Sequence, residues 1–330
     1  MKNVNVIVFS KDRALQLEAT LRSLLKYTSD LDPSSITVLY KTSHPRYAAQ
    51  YGTLSESYPQ VNFVRENHFR KDLLNILFNQ VSNFTVRLCL HYFAELNSFP
   101  ILGRHSIMEL IIRLFLKSGI RGGRLPFDNC CDNMYWFLSV DDNLFYKPFR
   151  LSEVIYFLEK NPKAIGFSLR LGKNINFCYM KNTPQHPPRF DRYNDGDILS
   201  FDWENSEHDF GYPLEISSSV YRSALITSLM AGLYFTTPNM LESKMAALKK
   251  WYSVRFQKLL CYSVSVSFCN PINKVQSDRP QNRGGQEEFY TIEQLANLFD
   301  QGKRVDLDVL HDFVPNACHQ ELDLKFVEVP

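Results

Sequence analysis

The sequence predicts an α/β protein: a mostly parallel sheet of short strands flanked by helices. Three observations predict it. The β-branched runs NVIVF, ITVLY, VNFV and WFLSV are short, apolar and bounded by polar residues, the pattern of strands buried on both faces. Amphipathic stretches separate the first run from the second and the third from the fourth. The chain of 330 residues, 45% of them hydrophobic, is long enough to bury a sizeable core.

The elements follow in order. NVIVF is the first strand, and SKDRALQLEATLRSLLKY makes a helix whose Leu17, Leu21, Leu24 and Leu25 share one face, with Ser10 or Asp12 as its cap. ITVLY and VNFV are two further strands, FRKDLLNILFNQ is a helix, and WFLSV closes the first half. Between residues 82 and 134 the chain inserts apolar helical material, with a capping box at Ser106 and Glu109, a stop at Gly119 and a loop carrying Arg121 and Arg124. LSEVIYFLEKNPKAIGFSLRLG gives a helix and a strand, and TPQHPPRFDRYNDGD an irregular crossing segment. YPLEISSSVYRSALI turns from strand into helix, and a second helix opens behind Asn239. The alternating CYSVSVSF, a polar glycine-containing loop, a helix with a Thr291/Gln294 capping box and a Gly302 terminator, and the strand-like LDLKFVEV complete the chain. The whole is expected to be one domain, 1–330.

Composition narrows the function. Lys and Arg number 37 against 35 Asp and Glu, a net charge of +2 that gives no reason to expect nucleic-acid binding. Seven cysteines include no CxxC pair, so neither a disulfide framework nor a zinc ribbon is expected, and reduced cytosolic thiols are the default. The first residues are too quickly charged for a signal peptide, and no window reaches the roughly 20 apolar residues that span a bilayer. A soluble, cytoplasmic protein is expected. Peripheral contact with the inner membrane face and homo-oligomerisation stay open.

Ligands of such sheets bind beyond the carboxyl ends of the strands. Two charged segments fall there: SKDR after the first strand, and Asp141-Asp142-Asn143 after WFLSV. Adjacent carboxylates repel and resist desolvation. Either they form a solvated turn or they bind a hard divalent cation, magnesium or manganese. Lys11, Arg13 and a helix amino terminus supply positive potential suited to a diphosphate. Capping with solvated basic residues is the plainer alternative. Neither a GxSxG elbow nor a phosphate-cradling P-loop is present.

The segments VIVFSKDRALQLEATLRSLLKY, FLSVDDNLF, SLRLGKN, GYPLEISSSVYR, PNMLE, NKVQ and ACHQE together resemble a bacterial, family-2-like glycosyltransferase of the GT-A type. The resemblance spans most of the chain except the insertion, and rests on the order and spacing of short motifs. It implies a GT-A-like (Rossmann-like) fold, with a nucleotide-sugar donor half over 1–143 and an acceptor half over 144–330. It also implies metal-assisted, inverting transfer from a UDP- or GDP-sugar to a hydroxyl of a saccharide, lipid-linked or protein acceptor. By the same resemblance Phe9, Ser10, Lys11, Asp12 and Arg13 line the nucleotide, with Asp141 and Asp142 at the donor. The end of the third strand supplies Arg65, Arg70 and Lys71, one of them for the donor, and a solvated cationic face explains them equally well. The metal falls to Asp142, Asn143 and a late histidine, His319, although a lone histidine is more often a structural hydrogen-bonder. Two departures stand out: Asn143 occupies a position usually held by an acid, and Tyr40-Lys41-Thr42 replaces an expected aspartate.

Inverting transfer needs a base for the acceptor proton. The resemblance puts Glu242 there, at a helix amino terminus. Asn239 and Glu242 also read as a capping box that needs no catalysis. Glu215 and Asp209 stand in reserve. The rival readings are a nucleotidyltransferase, disfavoured by the missing glycine-rich phosphate loop, and a non-catalytic binding module on the same fold.

Overall fold

The computed structural model describes residues 3–81, 87, 134–193, 197–274, 283–285 and 290–328. The expected features of the insertion, Ser106, Glu109, Gly119, Arg121 and Arg124, lie outside the described residues, as do residues 275–282 of the later polar loop.

Strand β1 (Asn3–Lys11) leads into helix α1 (Ala14–Tyr27), where Leu17, Leu21 and Leu24 are buried as their spacing predicts. Then come β2 (Ile36–Lys41), α2 (Pro45–Ser57), β3 (Asn62–Arg65), α3 (Phe69–Asn79), β4 (Met134–Val140) and β5 (Asn143–Phe145). Helix α2 is an addition to the expected order. Pro45 sits in its first turn and His44 Nδ1 accepts the Arg46 amide at 3.2 Å, which starts the helix. It buries only Gln50, Tyr51 and Leu54, too few to set a helical period in the sequence.

The second half holds α4 (Leu151–Lys160), β6 (Ala164–Ser168), the small pair β7 (Phe177–Cys178) and β8 (Thr183–Pro184), then β9 (Asp191–Tyr193), β10 (Ile198–Asp202) and β11 (Ser218–Arg222). The proline-rich crossing segment therefore contains short strands, and β10 behind it is a further addition. Helices α5 (Ser223–Gly232), α6 (Pro238–Ala247) and α7 (Lys249–Tyr252) follow, then β12 (Lys258–Tyr262), β13 (Ser267–Cys269), α8 (Ile292–Asp300), β14 (Lys303–Val305) and β15 (Phe326–Glu328). The expected capping box of α8 forms between Thr291 and Gln294, and Gly302 behind it takes a φ of +76°.

Among the described residues nine strands make the central sheet, in the order β3-β2-β1-β4-β11-β6-β12-β10-β9. Strands β10 and β11 run against the other seven, so the sheet is mixed and mostly parallel, flanked by helices, the α/β architecture the sequence predicts. Alternation along the strands feeds two cores. Val6, Val8 and Phe137 pack with α1, α2, α4 and α8, whereas Ile7, Phe9 and Leu138 pack with α3, α5 and α6. Burying each such side chain contributes roughly 2 kcal/mol. Two seams thus fix the sheet edge on which β1, β2, β4 and β6 all end.

Candidate active site

Register brings the two charged segments together. Strands β1 and β4 pair in parallel with Phe9 opposite Val140, so Ser10 to Arg13 and Asp141 to Asp142 leave the sheet side by side. Asp12 reverses the chain there with a φ of +56°, a left-handed turn that aspartate tolerates better than most residues. Its amide bonds to the Lys41 carbonyl at 3.2 Å, and its carboxylate accepts the Ser43 amide at 2.7 Å. Neither Ser10 nor Asp12 caps α1: both side chains are bonded elsewhere, and Arg13 holds the cap position.

The two acids meet a cation from the protein itself. Arg13 Nη1 donates to Asp141 Oδ1 at 3.1 Å and to Asp142 Oδ2 at 3.0 Å, and Nη2 donates to the Asn273 carbonyl. Burial opposes the charge of Arg13, but the two aspartates outweigh it and raise its pKa. Asp141 also accepts the Ser10 hydroxyl at 2.9 Å and the Lys11 amide at 3.1 Å, while its carbonyl takes Thr20 Oγ1 at 2.9 Å. Burial pushes Asp142 up to about 6; Arg13 opposes that rise and Asp141 adds to it. The Tyr51 ring stacks on Tyr40 at 4.4 Å beneath this turn, and its hydroxyl meets Ser10 and the Arg13 amide.

A cleft of about 650 Å³ opens over this edge. Phe9, Ser10, Lys11, Arg13, Asp141 and Asp142 line its donor-side wall. Lys41, which pairs with Glu66 at 2.9 Å, joins them. Asp209, Glu242, Asn273 and His319 line the rest, together with Arg170. The expected Arg65 and Lys71 are exposed on β3 and α3, outside this lining. Asp12 supports the wall from behind.

The expected acids separate. Glu215 lies outside the lining and is buried, with its carboxylate taken up by the Ser217 and Ser218 amides and the Ser217 and Ser219 hydroxyls. Arg170 faces it at 3.9 Å and holds Ser217 Oγ at 3.1 Å. Despite burial, Glu215 holds the Arg170 guanidinium pKa well above its ordinary value. Glu242 does line the cleft, accepting the Ile216 amide at 3.3 Å. The Asn239–Glu242 box expected at α6 is replaced by a cap from Thr237, whose hydroxyl accepts the Met240 amide at 3.2 Å, because Pro238 occupies the first turn. Asp209 is held by Gln185 in both directions, accepting Nε2 at 3.0 Å and donating its amide to Oε1 at 3.1 Å. Beside it, burial and that carboxylate push the Cys178 thiol up to about 11.

The expected metal ligands divide as well. Asn143 turns into the core: fully buried on β5, it donates to Ser139 Oγ at 3.3 Å and faces Cys269, so it does not reach the cleft. After the Asp141–Asp142 turn the chain enters β5 antiparallel to β13, and Asn143 pairs with Cys269 there. His319 lines the cleft with its ring on Tyr179, and burial, aided by Arg170, lowers it to about 3, leaving a neutral imidazole. Asn273 Oδ1, also at the cleft, is buried without a hydrogen-bond partner among the described residues. No group of three or more His, Cys, Asp or Glu side chains among the described residues is placed to hold a metal. A carboxylate, a neutral imidazole and an amide oxygen suit a cation shared with diphosphate oxygens better than one caged by protein alone.

No protein-family model matches the chain. Among curated proteins it is 27% identical over 244 residues to the bifunctional glycosyltransferase pgtA of Dictyostelium discoideum. Those residues are 70% of this chain and 25% of that protein, so the chain corresponds to about a quarter of its relative's length. Among solved structures, S. aureus TarS aligns with 79% of this chain and 35% of its own at a TM-score of 0.38 and 12% identity. Mouse xyloside xylosyltransferase 1, in its apo form, aligns with 77% of this chain and 78% of its own at 0.28 and 10%. Structural likeness at these levels bears on neither fold nor function.

Among the described residues no helix is long and apolar enough to cross a membrane. Sequence reasoning missed Arg170 and the role of Arg13. Arg170 left a signal, a lone cation ending the apolar strand AIGFSL.

Proposed function

We propose that this chain is a glycosyltransferase that moves a sugar from a nucleotide-sugar donor, a UDP- or GDP-sugar, to an acceptor hydroxyl with a divalent cation assisting. One observation carries the reading: Ser10, Lys11 and Arg13 converge with Asp141 and Asp142 on a cleft at the carboxyl edge of the sheet. The named relative supports the reaction class.

In this reading Lys11 and Lys41 face the donor diphosphate and supply a positive field. Asp142, His319 and Asn273, which line the same cleft, would hold the cation. When bound, the cation stabilises negative charge on the departing nucleoside diphosphate. Glu242 takes the proton from the acceptor hydroxyl as its oxygen bonds to the anomeric carbon and the bond to the diphosphate oxygen breaks, inverting that carbon. Asp209 is the second acid within the cleft. A saccharide, a lipid-linked saccharide or a protein side chain would each present such a hydroxyl.

The test is titration of the wild type and Asp142→Ala with UDP- and GDP-sugars plus manganese. Metal-dependent binding or slow donor hydrolysis by the wild type, lost in the variant, is expected. A wild type that neither binds nor hydrolyses any donor overturns the reading.

A further inference from the structure

We propose that Arg13 is an internal counter-cation that occupies Asp142 when no divalent metal is bound and competes with the metal for that carboxylate. This rests on the reading of Asp142 as a metal ligand, and adds to it the residue that sets how tightly the metal binds.

The guanidinium is placed for this role. One nitrogen, Nη1, bridges both acids at 3.1 and 3.0 Å. Arg13 is almost fully buried, so the attraction is little screened. A cation coordinated by Asp142 would stand only a few ångströms from the guanidinium, where like charges repel strongly. Arg13 has somewhere to go. Asp141 and the Asn273 carbonyl retain it, the carboxylate being fixed independently by Ser10 Oγ and the Lys11 amide. The hold on Arg13 is also incomplete: its Nε has no hydrogen-bond partner among the described residues. The metal would therefore displace one hydrogen bond of the guanidinium while the other acid keeps it in the cleft wall. Arg13 is accordingly a positioning residue and a brake on metal affinity.

The experiment measures binding of manganese alone, by the loss of the free-ion paramagnetic resonance signal at pH 8, where protons compete least. The proteins are the wild type, Arg13→Gln, Arg13→Lys and Asp142→Asn, each first checked for a cooperative unfolding transition. Removing the charge in Arg13→Gln is expected to tighten manganese binding by roughly tenfold or more. Arg13→Lys, which keeps the charge but lacks a fork to bridge two carboxylates, is expected to fall between the two and covers the case in which the glutamine variant does not fold. A merely structural role would weaken binding, not tighten it. Equal or weaker binding in the Arg13 variants, with Asp142→Asn abolishing the wild-type signal change, overturns the competition and leaves the metal site standing. No manganese binding by any of the proteins overturns the competition, and no binding by the wild type when UDP is added with the manganese overturns the metal site as well.

Discussion

Ser10 and Asp141, 131 residues apart in the chain, meet at 2.9 Å where two parallel strands end together. The Asp141 carboxylate also holds the Lys11 amide and Arg13, so it ties the turn after β1 to the turn after β4. Asp141→Ala would remove all three bonds and leave Arg13, nearly buried, with a single acid. Breaking one side of such a buried pair costs about 3 kcal/mol or more. Urea unfolding at pH 7.5 is expected to show a loss of that order for Asp141→Ala and a smaller one for Asp141→Asn. Equal stability of Asp141→Ala and the wild type would mean the tie contributes nothing.

Asp142 behaves in the opposite sense to an ordinary surface carboxylate. Its native pKa of about 6 lies above the usual aspartate value, with burial as the main cause. Between pH 4 and 6 the native state therefore binds a proton that the unfolded state has released. Stability from this group is fully present below pH 4 and is lost as pH rises through 6. Asp142→Asn, which cannot ionise, is expected to gain stability over the wild type at pH 7.5 and to lose that advantage at pH 4. Parallel stability curves for the two proteins across this range would contradict the assignment.

Much of this edge was legible in the sequence. An apolar run ending in charge marks the carboxyl end of a buried strand, and that located SKDR and Asp141-Asp142 correctly. The partnership between them was not legible, because repulsion between neighbouring acids calls for a cation without saying which one. Arg13 answers from about 130 residues away, through the register of β1 with β4. Asn143 went astray for a related reason: spacing places it beside Asp142, but the chain enters β5 there and points the amide into the core. Helix α6 kept its place while its cap moved from Asn239 to Thr237, since Pro238 fits the first turn.

His319 carries the reverse linkage. Its native pKa of about 3 lies well below the usual histidine value, because burial and Arg170 both disfavour the charged ring. Unfolding at pH 5 therefore takes up a proton that the native ring refuses. The stability this neutrality supplies is present above pH 6.5 and is lost as pH falls from there toward 3. His319→Gln is expected to lose less stability than the wild type between pH 7.5 and pH 5, read from denaturant midpoints. In proton NMR the His319 ring signals of the wild type should not titrate between pH 8 and pH 5, and a midpoint near 6.5 would refute the depressed value.

The carboxylates of the acceptor side separate by what holds them. Glu215 is saturated by three consecutive serines and balances Arg170, outside the cleft lining. Removing its charge strands a buried guanidinium, so Glu215→Gln is expected to destabilise by about 3 kcal/mol in urea unfolding. Glu242 lines the cleft from the first turns of α6, and its loss leaves the Thr237 cap intact. Glu242→Gln is therefore expected to unfold within about 1 kcal/mol of the wild type. Its sugar-transfer rate should fall roughly 100- to 10,000-fold at unchanged donor affinity, the effect of losing a general base. Asp209→Asn is the control, because Gln185 holds that acid in the same cleft. If Asp209→Asn carries the rate loss and Glu242→Gln transfers sugar normally, the base is Asp209.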